Sequence, residues 1–270
     1  MIHKKITSLS NPLVGKAVEV RLGRSSSGQH VFLAEGPHLV GMAIASGASI
    51  SEIFFTGDFM QTEEGAGLLD KISRTQAHAR ATIEVTDRIL AKISDTESPQ
   101  GVVAIVSYKP VSLSDLQLKG APMIAACDGI QDPGNLGAII RASDAAGADA
   151  VVVLPGTCDP YSPKTVRATA GSIFNIPVIM AEHSELIDFV TSKDIKLVVT
   201  DIRANRSLYQ IDLTRPSAFA FGNEARGVSA ILAAKAAASI SIPIRGKAES
   251  LNVAAAAAVC LYEAVRQRMG

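Results

Sequence analysis

The chain has 270 residues, with 26 Lys and Arg against 26 Asp and Glu, and is 47% hydrophobic and 19% charged. That composition supports a sizeable core and excludes intrinsic disorder. No apolar run is long enough for a transmembrane helix. A formal charge of zero argues at first against a nucleic-acid partner, which usually draws a basic excess.

At about 150 residues per domain, the length predicts one large domain or two smaller ones. Met1-Ile-His-Lys-Lys leads into Thr, Ser, Asn and Pro rather than an apolar stretch, so no secretory signal is expected. Cys127, Cys158 and Cys260 are odd in number and form no CxxC pair. That argues against a disulfide framework or a zinc ribbon. Cys127 and Cys260, in apolar surroundings, read as small core residues. The five histidines show no HExxH and no i,i+4 pair, so no metal site is expected. A reduced, cytoplasmic protein is the default.

In chain order, Ile6, Leu9, Leu13, Ala17 and Val20 recur at helical spacing, with Asn11-Pro12 as cap and first turn, and Gly23 ends this opening helix. Arg24-Ser-Ser-Ser-Gly28 reads as a loop. Strands are expected over 31–34, 53–56 and 102–107, and helices over 37–46 and 67–79. Lys109-Pro110-Val-Ser-Leu-Ser-Asp115 reads as a linker. The pattern restarts with strands over 123–127, 150–154, 178–180, 197–200 and 218–221. Helices are expected over 135–147, 162–170, 184–193 and 228–236, and a last one from about Asn252. Continuous apolar strands alternating with helices predict a mostly parallel sheet covered on both faces. The domains are expected at 1–108 and 120–270. Alanines 254–258 would let another backbone or a ligand approach the last helix closely.

Ligands in open α/β sheets bind beyond the carboxyl ends of the strands, and three such ends are glycine-rich and polar. The first is Asp128-Gly-Ile-Gln-Asp-Pro-Gly-Asn135-Leu-Gly-Ala-Ile-Ile-Arg141, where Asn135 could cap a helix and Arg141 follows nearly two turns on. A plain strand–helix turn with a solvated arginine would read the same way. The second is Phe221-Gly222-Asn223-Glu224-Ala-Arg226-Gly227, where Gly222 would let backbone meet a ligand, or Glu224 and Arg226 would form a surface turn. The third runs from Ile242-Pro243 to Ser250-Leu251-Asn252, with Asn252 capping the last helix. A nicotinamide enzyme is disfavoured by the missing GxGxxG and by the lack of an acidic residue after Val151-Val-Val-Leu154.

Together, the three segments resemble the three motifs of the SpoU/TrmH family of RNA ribose 2′-O-methyltransferases, within the SPOUT superfamily. Asn135 to Arg141 matches N-x-G-x-x-x-R, Gly222 to Ser229 the second motif, and Ile242-Pro243 with Ser250-Leu-Asn-Val253 the third. Lys164-Thr-Val-Arg167-Ala-Thr-Ala-Gly171 resembles a further family segment, and the match spans about 120–270. Phe32-Leu-Ala-Glu35-Gly36, after the basic helix, resembles the small L30e-like substrate-binding domain of many members.

The resemblance implies an S-adenosylmethionine site in a C-terminal trefoil knot, an RNA substrate (ribosomal RNA first, transfer RNA second) and a homodimer through the knot region. Carried over by motif position, it assigns Arg141, Asn135, Glu224, Ser250 and Asn252 to catalysis. It assigns Thr200, Gly222, Ile242 and Leu251 to the cofactor, and Arg21, Arg24, Glu35 and Arg167 to RNA. No metal is implied. Arg141 would stabilise the developing alkoxide or help relay its proton, Asn135 would orient the ribose or Arg141, and Glu224 would hold Arg141 or a base. A non-catalytic RNA-binding or ribosome-assembly factor on the same scaffold is the competing class.

The neutral total is a sum of patches. Residues 1–24 carry Lys4, Lys5, Lys16, Arg21 and Arg24 against Glu19, a net +4. Residues 52–70 carry five acids and no base, and 245–270 are +2. RNA is therefore not excluded, and a modest salt dependence is expected.

Overall fold

The computed structural model describes residues 3–24, 28–74 and 81–269. In chain order the first elements are β1 (His3–Ile6), α1 (Pro12–Arg21), β2 (Val31–Glu35), α2 (Pro37–Ala45) and β3 (Ser49–Thr56). Then come α3 (Gly57–Met60), α4 (Glu63–Arg74), β4 (Ala81–Val85), α5 (Asp87–Ile93) and β5 (Val102–Ser107). They are followed by β6 (Met123–Asp128), α6 (Pro133–Ala145), β7 (Ala150–Val153), α7 (Pro163–Ala168), β8 (Val178–Met180) and α8 (His183–Ser192). The chain closes with β9 (Lys196–Thr200), β10 (Ser217–Gly222), α9 (Ala230–Ala233), β11 (Ala238–Ile240) and α10 (Val253–Met269). No described helix is long and apolar enough to cross a membrane.

Two compact units emerge. One comprises Met1–Pro110 with Tyr161–Phe174, the other Val111–Pro160 with Asn175–Gly270. The sequence boundary leaves 161–174 in the second domain, whereas the folded chain groups that segment with the first. The reason is apolar: Val166 is fully buried in a first-unit core, and Tyr161 stacks on Tyr108 with ring centroids 3.8 Å apart.

The first unit is a mixed sheet in the order β1-β4-β3-β5-β2. Its strands alternate residues between two buried faces, as a period of two requires. Phe32, Ala34, Ile53, Phe55, Ala104 and Val106 join one core with α2 and α4, while Leu33, Phe54, Val103 and Ile105 join the other with α1 and α5. Ile6 does not begin the opening helix. It ends β1, pairing in parallel with Val85, and the helix starts only at Pro12, where Asn11 Oδ1 accepts from Leu13 N at 2.9 Å. The helix expected over 67–79 starts earlier, at Glu63, and residues 75–79 lie outside those described, as do 25–27 of the expected loop.

The charge patches are thinner in the folded chain than along the sequence. Lys16 Nζ reaches Glu52 Oε1 at 2.7 Å, with Glu52 buried on β3, and Lys5 pairs with Glu84 at 2.7 Å. One cation of the basic stretch is thus paired with one acid of the acidic stretch, and a second with an acid outside it.

The second unit is an all-parallel six-stranded sheet in the order β11-β9-β10-β6-β7-β8. β6 and β10 are central and buried along their whole length, which explains their unbroken apolar sequences. The chain runs outward from β6 through β7 to β8, then crosses to β9 on the far side and returns as β10 beside β6. The strand order therefore reverses between β6 and β10, and the crevice outside their carboxyl ends is where such sheets bind ligands. α10 packs on α6 and β10. Its far end is tied down by Arg268, which donates to Leu213 O at 2.9 Å, Ala121 O at 2.8 Å and Arg215 O at 3.0 Å.

Candidate active site

Register sets the floor of the crevice. Gly222, the last residue of β10, pairs with Asp128, the last of β6, and Ile240 of β11 pairs with Thr200 of β9. All three glycine-rich segments leave from this one edge.

The cap of α6 is Asp132, not Asn135: Pro133 takes the first helical position and Asp132 Oδ1 accepts from Asn135 N at 2.9 Å. That frees the Asn135 side chain. Its Nδ2 donates to Glu224 Oε1 at 2.9 Å, and its Oδ1 accepts from Asn252 Nδ2 at 2.8 Å. Asn252 Oδ1 caps α10 by accepting from Ala254 N at 2.9 Å and Ala255 N at 3.3 Å. One residue from each segment thus joins a single hydrogen-bonded chain. Partial burial pushes the Glu224 carboxyl upward, but the Asn135 amide and the backbone N–H groups of Glu224, Gln131 and Asp132 outweigh it. The net pKa is below the ordinary value of 4.5, so the group is ionised at neutral pH.

Arg141 is exposed, and its guanidinium has no hydrogen-bond or ion-pair partner among the described residues. It is not held by Glu224 in this state. Ser250 and Leu251 are exposed, Ile242 is half-buried, and none of the peptide groups of 242–251 finds an intramolecular partner among the described residues. Thr200 Oγ1 donates to Ala220 O at 3.1 Å.

Gly222 permits a close approach within its own loop. A Cβ there would lie 2.1 Å from Gly227 C and Val228 N, so a glycine is required for the loop to fold back at this position. Asn223 and Gly227 close that loop with backbone bonds of 3.0 and 2.8 Å.

In the first unit, Arg24 is exposed, while Arg21 donates to Ser94 O at 3.0 Å. Glu35 is 8% exposed, so it faces the protein rather than a partner. It accepts from Asp95 N at 3.1 Å, from the Thr96 hydroxyl and from Arg167 at 3.4 Å. Arg167 also pairs with Asp95 at 2.7 Å. Sequence reasoning missed Asp95, because the restraint is a long-range contact with no local pattern.

Burial pushes the Cys127 thiol far up, with Cys158 and Asp128 adding to it, and lifts Cys260 to about 12. Both are inert at neutral pH. Among the described residues, no group of three His, Cys, Asp or Glu could hold a metal.

The chain is similar to known proteins along its whole length. Residues 122–262 match the SpoU rRNA methylase family, and residues 11–104 match the MRM3-like substrate binding domain. The 23S rRNA (guanosine(2553)-2′-O)-methyltransferase RlmP of Bacillus subtilis is 31% identical over 96% of this chain and 98% of its own. The 23S rRNA (uridine(2479)-2′-O)-methyltransferase of Streptomyces viridochromogenes is 32% identical over 88% of this chain and 83% of its own. Among solved structures, the AdoMet-bound rRNA methyltransferase from Sinorhizobium meliloti superposes with a TM-score of 0.86, at 32% identity and 98% coverage of each chain. With the motifs, the parallel sheet and these matches in agreement, the chain belongs to the SpoU rRNA methylase family.

Proposed function

We propose that this protein transfers the methyl group of S-adenosylmethionine to a ribose 2′-hydroxyl of 23S rRNA. The observation that carries the proposal is the Asn252–Asn135–Glu224 chain at the switch point of the sheet, in a protein whose relatives are named as 23S rRNA 2′-O-methyltransferases. The cofactor fits by its donor set. Adenosylmethionine presents a purine edge, ribose hydroxyls and an amino-acid head, and the unpaired peptide groups of 242–251 can bind all three. Residues Thr200, Gly222, Ile242 and Leu251 lie on the strand ends and loop that would hold it. Once bound, the cofactor supplies an electrophilic methyl on a sulfonium.

The chain's own residues do the rest. A ribose hydroxyl is a poor nucleophile, with a pKa far above neutral, and needs help as its charge develops. Arg141, exposed and without a partner among the described residues, would grip a substrate phosphate with two parallel hydrogen bonds and face the developing alkoxide. Because an arginine stays protonated, it stabilises charge rather than accepting the proton, and the hydroxyl proton would leave through the substrate phosphate that Arg141 holds, to solvent. Asn135, fixed in orientation by Asn252 and Glu224, would hold the ribose. Ser250, beside Asn252, would close the pocket.

Several finer features belong to the same reading. The crossing from β8 to β9 and back to β10 suits a trefoil knot with α10 threaded through a loop, and α10 would then contribute to a homodimer. The first unit, of L30e-like build, would bind rRNA through Arg24 and Arg167, with the reaction in the cytoplasm. Methylation mapping of total RNA from cells with and without the gene tests the proposal. A lost 2′-O-methyl mark in 23S rRNA is expected. A loss confined to transfer RNA would overturn the substrate, and no loss at all, with no adenosylmethionine binding, would favour a non-catalytic factor.

A further inference from the structure

One buried carboxylate at the strand ends has no part in the roles assigned so far. Asp128 is 4% exposed and closes β6. Both of its oxygens are used. Oδ1 meets Nε2 of His183, the first residue of α8, at 2.8 Å, and Oδ2 accepts from the backbone N–H of Ser229 at 2.7 Å. Three strand–helix connections therefore converge on one side chain: β6–α6, β8–α8 and β10–α9.

The convergence concerns the loop that carries Glu224. Asn223, at its start, donates from Nδ2 to Gly129 O at 2.8 Å. Ser229, at its end, is held by Asp128. The two ends of the Glu224 loop are thus pinned to consecutive residues of the neighbouring strand end. Within the loop, Asn223 Oδ1 accepts from Ala225 N and Arg226 N, both at 3.0 Å. Glu224 is left with its carboxylate aimed at Asn135 Nδ2. Moving Ser229 would move Glu224 relative to Asn135. A buried carboxylate that accepts from two separate elements is also hard to replace, since removing it orphans the Ser229 N–H.

We infer that Asp128 is a positioning residue for methyl transfer: it anchors the Glu224 loop through Ser229, and His183 holds its carboxylate in place. It does not touch the reacting atoms. This inference rests on the methyl-transfer reading and sharpens it, because it makes the Glu224–Asn135 contact depend on a residue outside the three motif sets.

The test is a double-mutant cycle on methyl transfer from labelled adenosylmethionine to 23S rRNA lacking the modification. Asp128→Ala should lower kcat at least tenfold, with KM for RNA nearly unchanged. Asp128→Asn should recover most of that rate, since its amide oxygen still accepts from Ser229 and its NH2 can face an unprotonated imidazole nitrogen. In a Glu224→Ala background Asp128→Ala should cost no further rate, because that variant has already lost the contact with Asn135 through which both changes act. If Asp128→Ala does not fold, His183→Ala takes its place in the same cycle, with a loss of about threefold expected in the wild-type background only. Equal fold-losses in both backgrounds, or full rate for the single variant, would overturn the inference while leaving the activity standing. A wild-type protein that moves no methyl to RNA would overturn the functional reading itself.

Discussion

Asn252 donates from Nδ2 to Oδ1 of Asn135 at 2.8 Å across 117 positions of sequence. The direction of this bond is forced. Asn252 Oδ1 already accepts the N–H groups that open α10, so its nitrogen must face Asn135. The Asn135 nitrogen must then face the Glu224 carboxylate. Each amide has one orientation that satisfies its neighbours.

That chain separates two jobs of Asn252. Asn252→Asp keeps an acceptor for the helix cap but turns a donor into an acceptor toward Asn135. Its melting temperature should stay near wild type while methyl transfer falls by about 10- to 100-fold, a loss of one oriented contact. Asn252→Ala should lose rate and also about 1 kcal/mol of stability with the cap. Thermal melts and initial rates on the two variants check the split.

Arg141→Ala should still bind adenosylmethionine, measured by calorimetry, and lose methyl transfer by about 10²- to 10³-fold. Arg141→Lys should not restore it, since an ammonium lacks the planar fork that grips phosphate. Near-normal turnover of Arg141→Ala would remove the arginine from the mechanism.

Gly222→Ala puts a methyl group where the backbone of Gly227 and Val228 already runs. Overpacking against backbone should cost about 1–3 kcal/mol and displace the loop that carries Glu224. Reduced adenosylmethionine affinity and a lower denaturant midpoint are expected together.

Glu224 sets a pH expectation. Its pKa in the folded chain lies below the ordinary value of 4.5. A depressed carboxyl contributes stability above its unfolded pKa and loses it as pH falls through the folded one. Glu224→Gln should therefore flatten the fall of melting temperature only below about pH 4.5, taken from that ordinary value. A slope change centred near neutral pH would contradict it.

Lys16→Met leaves the buried Glu52 without its cation. The cost should be about 2 kcal/mol, less than for a fully buried pair because Lys16 keeps some exposure. The salt dependence of RNA binding should not change, because Lys16 is already neutralised at 2.7 Å. Arg24→Ala, exposed on the same unit, should reduce that dependence.

The sequence made the parallel sheet plain, because β6 and β10 are buried on both faces and so read as unbroken apolar runs. The three site loops were legible for the same reason: each leaves such a strand through glycine and polar residues. β1 and β4 were not foreseen because Lys4, Lys5, Thr82 and Glu84 interrupt their apolar residues, unlike the equally short but apolar β7 and β8, and α5 spans only seven residues. β11, with Ser239 at its centre, has no apolar run either. The roles of Gly222, Glu35 and Asp128 were illegible for another reason. A glycine that yields to its own loop, and carboxylates that hold distant groups, are defined by partners that only folding brings near. Asn135 was misread as a cap because Asp132 and Pro133, a better cap and first turn, sit just ahead of it.

The grouping of Tyr161–Phe174 with the first unit makes the chain pass from one unit to the other three times. A protein joined by a single tether can exchange its front half as a cassette, through one recombination or one proteolytic cut. Here a cut at the linker leaves two passages intact, and a gene fragment from 111 onward would encode a fourteen-residue stretch stripped of the core that receives Val166. Exchange of the first unit as a cassette would therefore have to carry 161–174 along with 1–110, through two separate segments of the gene.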